Sequence, residues 1–264
     1  MARIALGVQY DGRHFSGWQR QSHAPSIQQT LEDCLSQVAD HPVTIYCAGR
    51  TDSGVHALNQ VVHFESTKPR PARAWVLGTN TLLPSTVSIN WQHAVEADFH
   101  ARFSADARTY QYVISNLPTR SALWADRVCW ELGALDAEKM HEAAQAWLGE
   151  HDFSAFRAAS CQSNTPFRCI QHITVVRTGH FVVIRVTANA FLHHMVRNLA
   201  GVLIDIGLGR QEVPWAAKLL ASGDRTLAGK TAVAGGLYLT GVTYPERFGL
   251  PNYDASFPAL IAID

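Results

Sequence analysis

Nowhere in the 264 residues does an apolar run approach the ~20 that a membrane-crossing helix requires. The opening stretch, MARIALGVQYDG, carries one basic residue and a short apolar pattern broken by polar positions, which is not the shape of a secretory signal. A cytoplasmic protein without membrane contact is therefore expected. The five cysteines (Cys34, Cys47, Cys129, Cys161 and Cys169) are scattered and form no C-x-x-C pair, so neither a disulfide framework nor a thiolate metal site is expected. An excess charge of either sign is also lacking. Lys plus Arg and Asp plus Glu both number 22, which argues against a protein that coats nucleic acid by bulk attraction. The acids are dispersed, and a metal-dependent nucleic-acid hydrolase would need them clustered.

What is present is an ordinary globular composition, long enough for one large domain or two smaller ones. RIALGVQYDG alternates as a strand, with Ile4, Leu6 and Val8 on one face. Ser26 then caps a helix whose Ile27, Leu31, Leu35 and Val38 recur at helical spacing. Strands follow in VTIYCAG and LNQVVHFES, a helix in ARAWVLGTNTLL ended by Pro84, and a strand in VSINWQHAV. A second series begins at ARTYQYVISN. It continues through a helix in DAEKMHEAAQAWLGEH capped by Asp136, and a strand pair turning at Thr178 to His180. Helices in FLHHMVRNLAGVLIDIGLG and PWAAKLLASG and a closing strand in GGLYLTGVTYP complete it. Without regular βαβ alternation, these elements predict an α+β fold with a largely antiparallel sheet.

The chemistry points to CAGRTDSGVHALNQVVHF. A strand stops at Gly49, and Arg50, Thr51, Asp52 and Ser53 precede Gly54. Glycines on both sides permit a sharp turn that projects a polar side chain. The Asp52 carboxylate there is either the acceptor that ties its own turn or a nucleophile or base. Arginines lie beside aromatics in GRHFSGWQRQ, STKPRPARAW and FHARFSADARTY, a composition that suits phosphate contact and base stacking. Arg13, Arg20, Arg70, Arg73 and Arg102 are the candidates. His193 and His194 invite a metal reading, but neighbours on a helix point about 100° apart and no acid stands at ligand spacing, so no metal is expected. His56 reads equally as a structural histidine or an RNA contact. Gly207 to Arg210 reads as a helix C-cap rather than a phosphate turn.

GRTDSGVHALNQVVHF resembles the signature of the tRNA pseudouridine synthase A family, G-R-T-D-x-G-V-H-A. The resemblance extends to YDGRHFSGWQRQ, FHARFSADARTYQY, HDFSAFRAASCQS, FLHHMVRNLAGVL and GLYLTGVTYP, in register from Tyr10 to Pro245. The chain departs from the pattern at Thr86, often aspartate, and at Val233, where proline is common. The resemblance implies an isomerase that converts uridine to pseudouridine at positions 38, 39 and 40 of the tRNA anticodon stem-loop, without cofactor. Asp52 would be the nucleophile and Arg50 would face the RNA. Tyr110 would stack on the target base, and Arg197 would pair with the Asp52 carboxylate. It further implies two ferredoxin-like, RRM-like halves, 1–104 and 105–264, in one continuous mainly antiparallel sheet with helices on one face and a central cleft. A homodimer with one tRNA lying across both subunits is implied as well. The rival reading is a non-catalytic RNA-binding module using the same aromatics and arginines.

Overall fold

The computed structural model describes residues 2–253. The end of the second expected half, 254–264, lies outside the described residues. The chain divides into two compact units, 2–108 with 238–253 and 109–237. Both are α+β with mainly antiparallel strands, the expected class.

In the first unit β1 (Ala2–Tyr10) leads into α1 (Ile27–Ala39). The Ser26 hydroxyl accepts the Gln29 N–H at 3.3 Å, the cap that the sequence predicts. β2 (Tyr46–Cys47), β3 (His56–Ser66) and β4 (Val87–Val95) follow, with a wide helical turn at Ala74–Gly78. The strand order is β4-β1-β3, and the closing β10 (Leu237–Thr243) returns to pair parallel with β3 through Tyr238–His56 and Leu239–Ala57. β1 departs from simple alternation. Ile4 through Val8 are all buried, because the sheet is covered on both faces. The face bearing Ala5 and Val61 packs with Trp91, Phe99, Ala101 and Phe248. Gly7 admits Trp91 there: a Cβ at residue 7 would fall 2.0 Å from the indole nitrogen.

β2 is shorter than VTIYCAG predicts. Helix α1 takes the hydrogen bonds a strand partner would have taken, since the Val43 N–H donates to Ser36 Oγ (2.9 Å) and the Ile45 N–H to Glu32 Oε1 (3.0 Å).

The second unit contains β5 (Ala107–Ser115) from Thr109 onward and β6 (Cys129–Trp130), parallel to β5. α2 (Ala137–Ala144) starts at an Asp136 cap, whose Oδ1 accepts the Lys139 N–H at 3.0 Å. It ends earlier than expected. A tighter turn covers Gln145–Trp147, then Gly149 takes φ +91° and opens β7 (Gly149–Asp152). β8 (Phe167–Thr178) and β9 (Phe181–Ala188) form the predicted hairpin, and the order is β5-β9-β8-β7. α3 (Met195–Gly207) is buried nearly all round, and α4 (Trp215–Ser222) follows Pro214. No helix among the described residues is long and apolar enough to cross a membrane.

Candidate active site

Between β2 and β3 the chain makes the turn that carries Asp52, and its backbone is held from several sides. Gln60, buried on β3, donates to the Gly49 carbonyl at 2.6 Å and accepts the Gly49 N–H at 3.4 Å. The Thr51 hydroxyl lies 2.8 Å from the buried Tyr10 hydroxyl, and the Thr51 carbonyl accepts the Trp18 N–H at 3.0 Å. Within the turn the Val55 N–H donates to the Asp52 carbonyl at 3.1 Å. Ser53 Oγ donates to the Phe15 carbonyl at 3.3 Å. Of the two flanking glycines, Gly54 takes the left-handed backbone (φ +76°), whereas the peptide of Gly49 is clamped by Gln60.

The stretch YDGRHFSGWQ is the wall against which this turn rests. A Cβ on Gly12 would fall 2.0 Å from the Val55 carbonyl oxygen, and one on Gly17 (φ +98°) 2.9 Å from the Thr51 oxygen. Neither Gln60 nor these glycines were nominated as site residues from the sequence. The fixed G-x-x-F-x-G spacing was the available signal.

Asp52 is left half-buried and Arg50 exposed at the rim of this turn. Arg50 makes no ion pair among the described residues. The thiol of Cys47, just upstream, is pushed up to about 12 by burial, so it stays protonated at neutral pH. His56 is resolved toward the structural role. It is buried, its Nδ1 accepts the Gly12 N–H at 3.2 Å, and its ring stacks on Tyr238 at 4.6 Å.

Tyr110 lies on β5 in the second unit. It is largely buried, with its ring edge-on to Phe191 at 5.1 Å. Arg197 lies in the first turn of α3, and its Nε donates to the Ala232 carbonyl at 2.8 Å. The backbone returns the contact, with the Ala232 N–H donating to the Arg197 carbonyl at 3.1 Å. The adjacent Asn198, 2% exposed, donates to the Phe156 carbonyl at 2.7 Å. Its Oδ1 accepts from Thr231 Oγ1 (2.7 Å) and Arg225 (3.1 Å). Arg225 also donates to the carbonyls of Ala228 and Gly229. The 225–232 segment is thus laced to α3 beside Arg197, and sequence reading had singled out neither Asn198 nor Arg225.

The two histidines do not lie on a helix as expected. His194 precedes α3 with φ +62°, and the rings of His193 and His194 have centroids 4.0 Å apart. The 100° argument therefore does not describe them. Gly209 (φ +71°) follows α3, and its N–H donates to the Ile206 carbonyl at 2.9 Å, consistent with the helix-end reading of Gly207 to Arg210.

The arginines nominated for phosphate contact separate into two groups. Arg13 is forked onto Asp11 (2.7 Å at the closest) and Arg20 is paired with Glu32. Burial acts to raise the Asp11 carboxyl, but hydrogen bonds from Arg13 outweigh it and hold the group well below the usual carboxylate range. Arg70 donates to the Val38 carbonyl at 2.8 Å. Arg73 and Arg102 are exposed and make no ion pair among the described residues.

The fold is α+β, with an aspartate on a braced turn at a strand end. Comparison with known proteins gives the family. The family model described as tRNA pseudouridine synthase matches residues 7–104 and 143–245. A protein of Pseudoalteromonas atlantica called tRNA pseudouridine synthase A is 57% identical over 250 residues, 95% of each chain. Proteins of the same name are 55% identical in Actinobacillus pleuropneumoniae serotype 7 and 54% in Shigella boydii serotype 4. They cover 95% of this chain and 95% and 93% of the respective relatives. The chain belongs to the tRNA pseudouridine synthase family. Pseudouridine synthases are isomerases, and the chain is an isomerase.

Proposed function

We propose that the chain converts uridine to pseudouridine in tRNA, at positions 38, 39 and 40 of the anticodon stem-loop, with Asp52 as nucleophile and without cofactor. The observation that carries this reading is the Arg50–Gly54 turn. Its backbone is held by Gln60 and Trp18 and its Thr51 hydroxyl by Tyr10, while the Asp52 side chain keeps solvent access. Such an arrangement orients a reacting group before the substrate arrives.

The reaction breaks the bond from uracil N1 to ribose C1′ and forms one from C5 to C1′. The proton lost from C5 is balanced by one gained at N1, so no oxidant, reductant or nucleotide cofactor enters the sum. The Asp52 carboxylate attacks ribose C1′ or uracil C6. The detached base must be retained while it turns, and Tyr110 is proposed as the surface on which it stacks. Arg197 is proposed as the cation that pairs with the Asp52 carboxylate, and Arg50 as a contact to the RNA backbone. Recognition at three neighbouring positions without a fixed sequence relies on shape and phosphate contacts rather than base edges. A homodimer and a cytoplasmic location belong to the same reading.

The test uses tRNA from cells lacking the protein, treated with wild type or with Asp52→Asn and mapped for pseudouridine by carbodiimide modification. Wild type is expected to mark positions 38, 39 and 40. Asp52→Asn, which keeps the shape but is no nucleophile, should mark none while binding tRNA nearly as tightly. Residual modification by a variant verified free of deamidation would refute the nucleophile, and marks elsewhere would refute the positions.

A further inference from the structure

Beside the strand that leads into the Asp52 turn, the first unit carries a cluster of rings that the proposed reaction does not use. Phe103 is 76% exposed and Tyr46 52%, unusual for large rings at the surface. His100 lies between them, its ring centroid 4.4 Å from that of Phe103 and 5.5 Å from that of Tyr46. His63 stacks on Tyr46 at 5.2 Å from below.

The exposure of Phe103 is enforced by its turn. The backbone N–H groups of Arg102 and Phe103 both donate to His100 Nδ1, at 3.1 and 3.3 Å. Ser104 closes the turn, its Oγ accepting the His100 N–H and its own N–H donating to the His100 carbonyl, both at 2.9 Å. The Ala101 N–H donates to His63 Nδ1 at 3.1 Å. With these bonds in place, Phe103 faces solvent at little further ordering cost, as a binding group should.

The electrostatics favour an anionic, aromatic partner. Arg102 sits with its guanidinium 5.4 Å from the Phe103 ring centre and has no carboxylate partner among the described residues. Glu65 is matched by Arg3 and Asp98 by Arg247. Burial, then the neighbouring His100 and Arg3, pull His63 down to about 4, and burial with Arg3 and Arg102 lowers His100. Both imidazoles are accordingly neutral rings at pH 7.

The cluster is also tied to the Asp52 turn. Buried Arg108 donates to the Ala48 carbonyl at 3.1 Å and to the carbonyls of Arg102 and Ala105. It thereby couples the ring-bearing turn to the residue that follows β2. Asp52 is six residues beyond Tyr46, at most about 20 Å of extended chain.

We propose that Tyr46, His100 and Phe103 form a stacking platform for an unpaired nucleobase of bound tRNA, with Arg102 meeting an adjacent phosphate. The proposal rests on tRNA being the substrate. A π-face is available only from a base outside a duplex, and stacking on protein rings accepts any base identity. A platform of this kind therefore suits an enzyme that works without sequence readout.

The test measures binding of unmodified full-length tRNA transcript by filter retention at fixed salt. Phe103→Ala and Phe103→Leu are each expected to weaken the dissociation constant roughly 5- to 100-fold, and Phe103→Trp to preserve it. Leucine keeps apolar area but not the π-face, so equal losses in the two variants identify stacking. Thermal melts should be unchanged, because the ring lies at the surface. Sedimentation of each variant completes the set. Wild-type binding with Ala and Leu variants within about twofold of it overturns the platform alone. Loss of binding accompanied by a smaller sedimenting mass also overturns it, since the rings would then be covered by a second copy of the chain. Failure of the wild type to bind tRNA overturns both the platform and the substrate assignment.

Discussion

In the Arg50–Gly54 turn the neighbours grip mostly the main chain, through Gln60 on the Gly49 peptide and the Trp18 N–H on the Thr51 carbonyl, with Tyr10 adding a bond to the Thr51 hydroxyl. At Arg197 they grip the side chain itself, through Ala232 on Nε, with the Asn198–Arg225–Thr231 network behind it. A short carboxylate has few rotamers, so fixing its backbone nearly fixes its oxygens. A long arginine has about 2 kcal/mol of rotamer entropy to lose, and a bond partway along the side chain removes much of it in advance. Each region positions its side chain by means suited to that side chain's length. Substitutions that disturb the backbone should therefore be most damaging in the turn, and polar substitutions most damaging around α3.

Among substitutions that test this comparison, the largest effect is expected from Gly12→Ala. Its Cβ would meet the Val55 carbonyl oxygen at 2.0 Å and the carbonyl carbon at 2.7 Å, and neither can rotate away. The Asp52 turn must shift. We expect a loss of about 3 kcal/mol or more in urea unfolding. A displacement near 1 Å would also lower kcat/KM by about 100-fold. Gly209→Ala serves as the control, because it has the left-handed backbone but nothing within 4 Å of the added atom. It should cost about 1–2 kcal/mol and leave kcat/KM unchanged. Equal behaviour of the two would show that close approach to the turn is irrelevant.

The second test moves to α3. Asn198→Ala removes three hydrogen bonds from a buried site, leaving the Phe156 carbonyl, Arg225 and Thr231 without that partner. The expected cost is about 2–3 kcal/mol. Arg225→Lys cannot reproduce the planar fork that reaches Ala228, Gly229, Asn198 and Thr231, and should lower kcat about 10-fold. If Arg225 acts by holding Arg197, the Arg225→Lys effect on kcat should largely disappear in an Arg197→Ala background, while its effect on unfolding persists. Additive losses in kcat would separate the network from Arg197 and break the comparison.

Parts of both regions were legible in the sequence because their signals are local. The Ser26 and Asp136 caps, the turn at Thr178 to His180, and the glycine-flanked acid at Asp52 all lie within a few residues of what they organise. The grip on the turn was not legible, since Gln60 reaches Gly49 across eleven residues and Tyr10 reaches Thr51 across forty-one. The start of α3 was misread for a related reason. FLHH continues an apolar pattern, but Phe191 packs on Tyr110 and the His193 carbonyl accepts the Ala158 N–H at 3.1 Å, so tertiary contacts hold these residues outside the helix. β1 forms where its alternating sequence pattern predicts, yet Ile4 through Val8 are all buried because distant segments cover the second face. Periodicity reports the strand and is silent about what packs on it.

The smallest effect should come from Tyr10→Phe. This removes one hydroxyl from the Asp52 turn and leaves the aromatic ring beside Trp18 (centroids 6.0 Å) in place. The Thr51 hydroxyl, in a residue 7% exposed, loses its 2.8 Å partner. We expect about 0.5–1.5 kcal/mol in stability. Gln60, with its own bonds to Gly49, still clamps the upstream side of the turn. Asp52 should thus move by less than in Gly12→Ala, and kcat/KM should fall by no more than about 10-fold. Thr51→Val removes the same bond from the other side. If that bond is the main contribution of both hydroxyls, the double variant should be no worse than the poorer single one, a coupling of about 0.5–1.5 kcal/mol. Strict additivity would mean that each hydroxyl holds the turn through a separate contact, and that the Tyr10–Thr51 bond is not one of the grips on the Asp52 backbone.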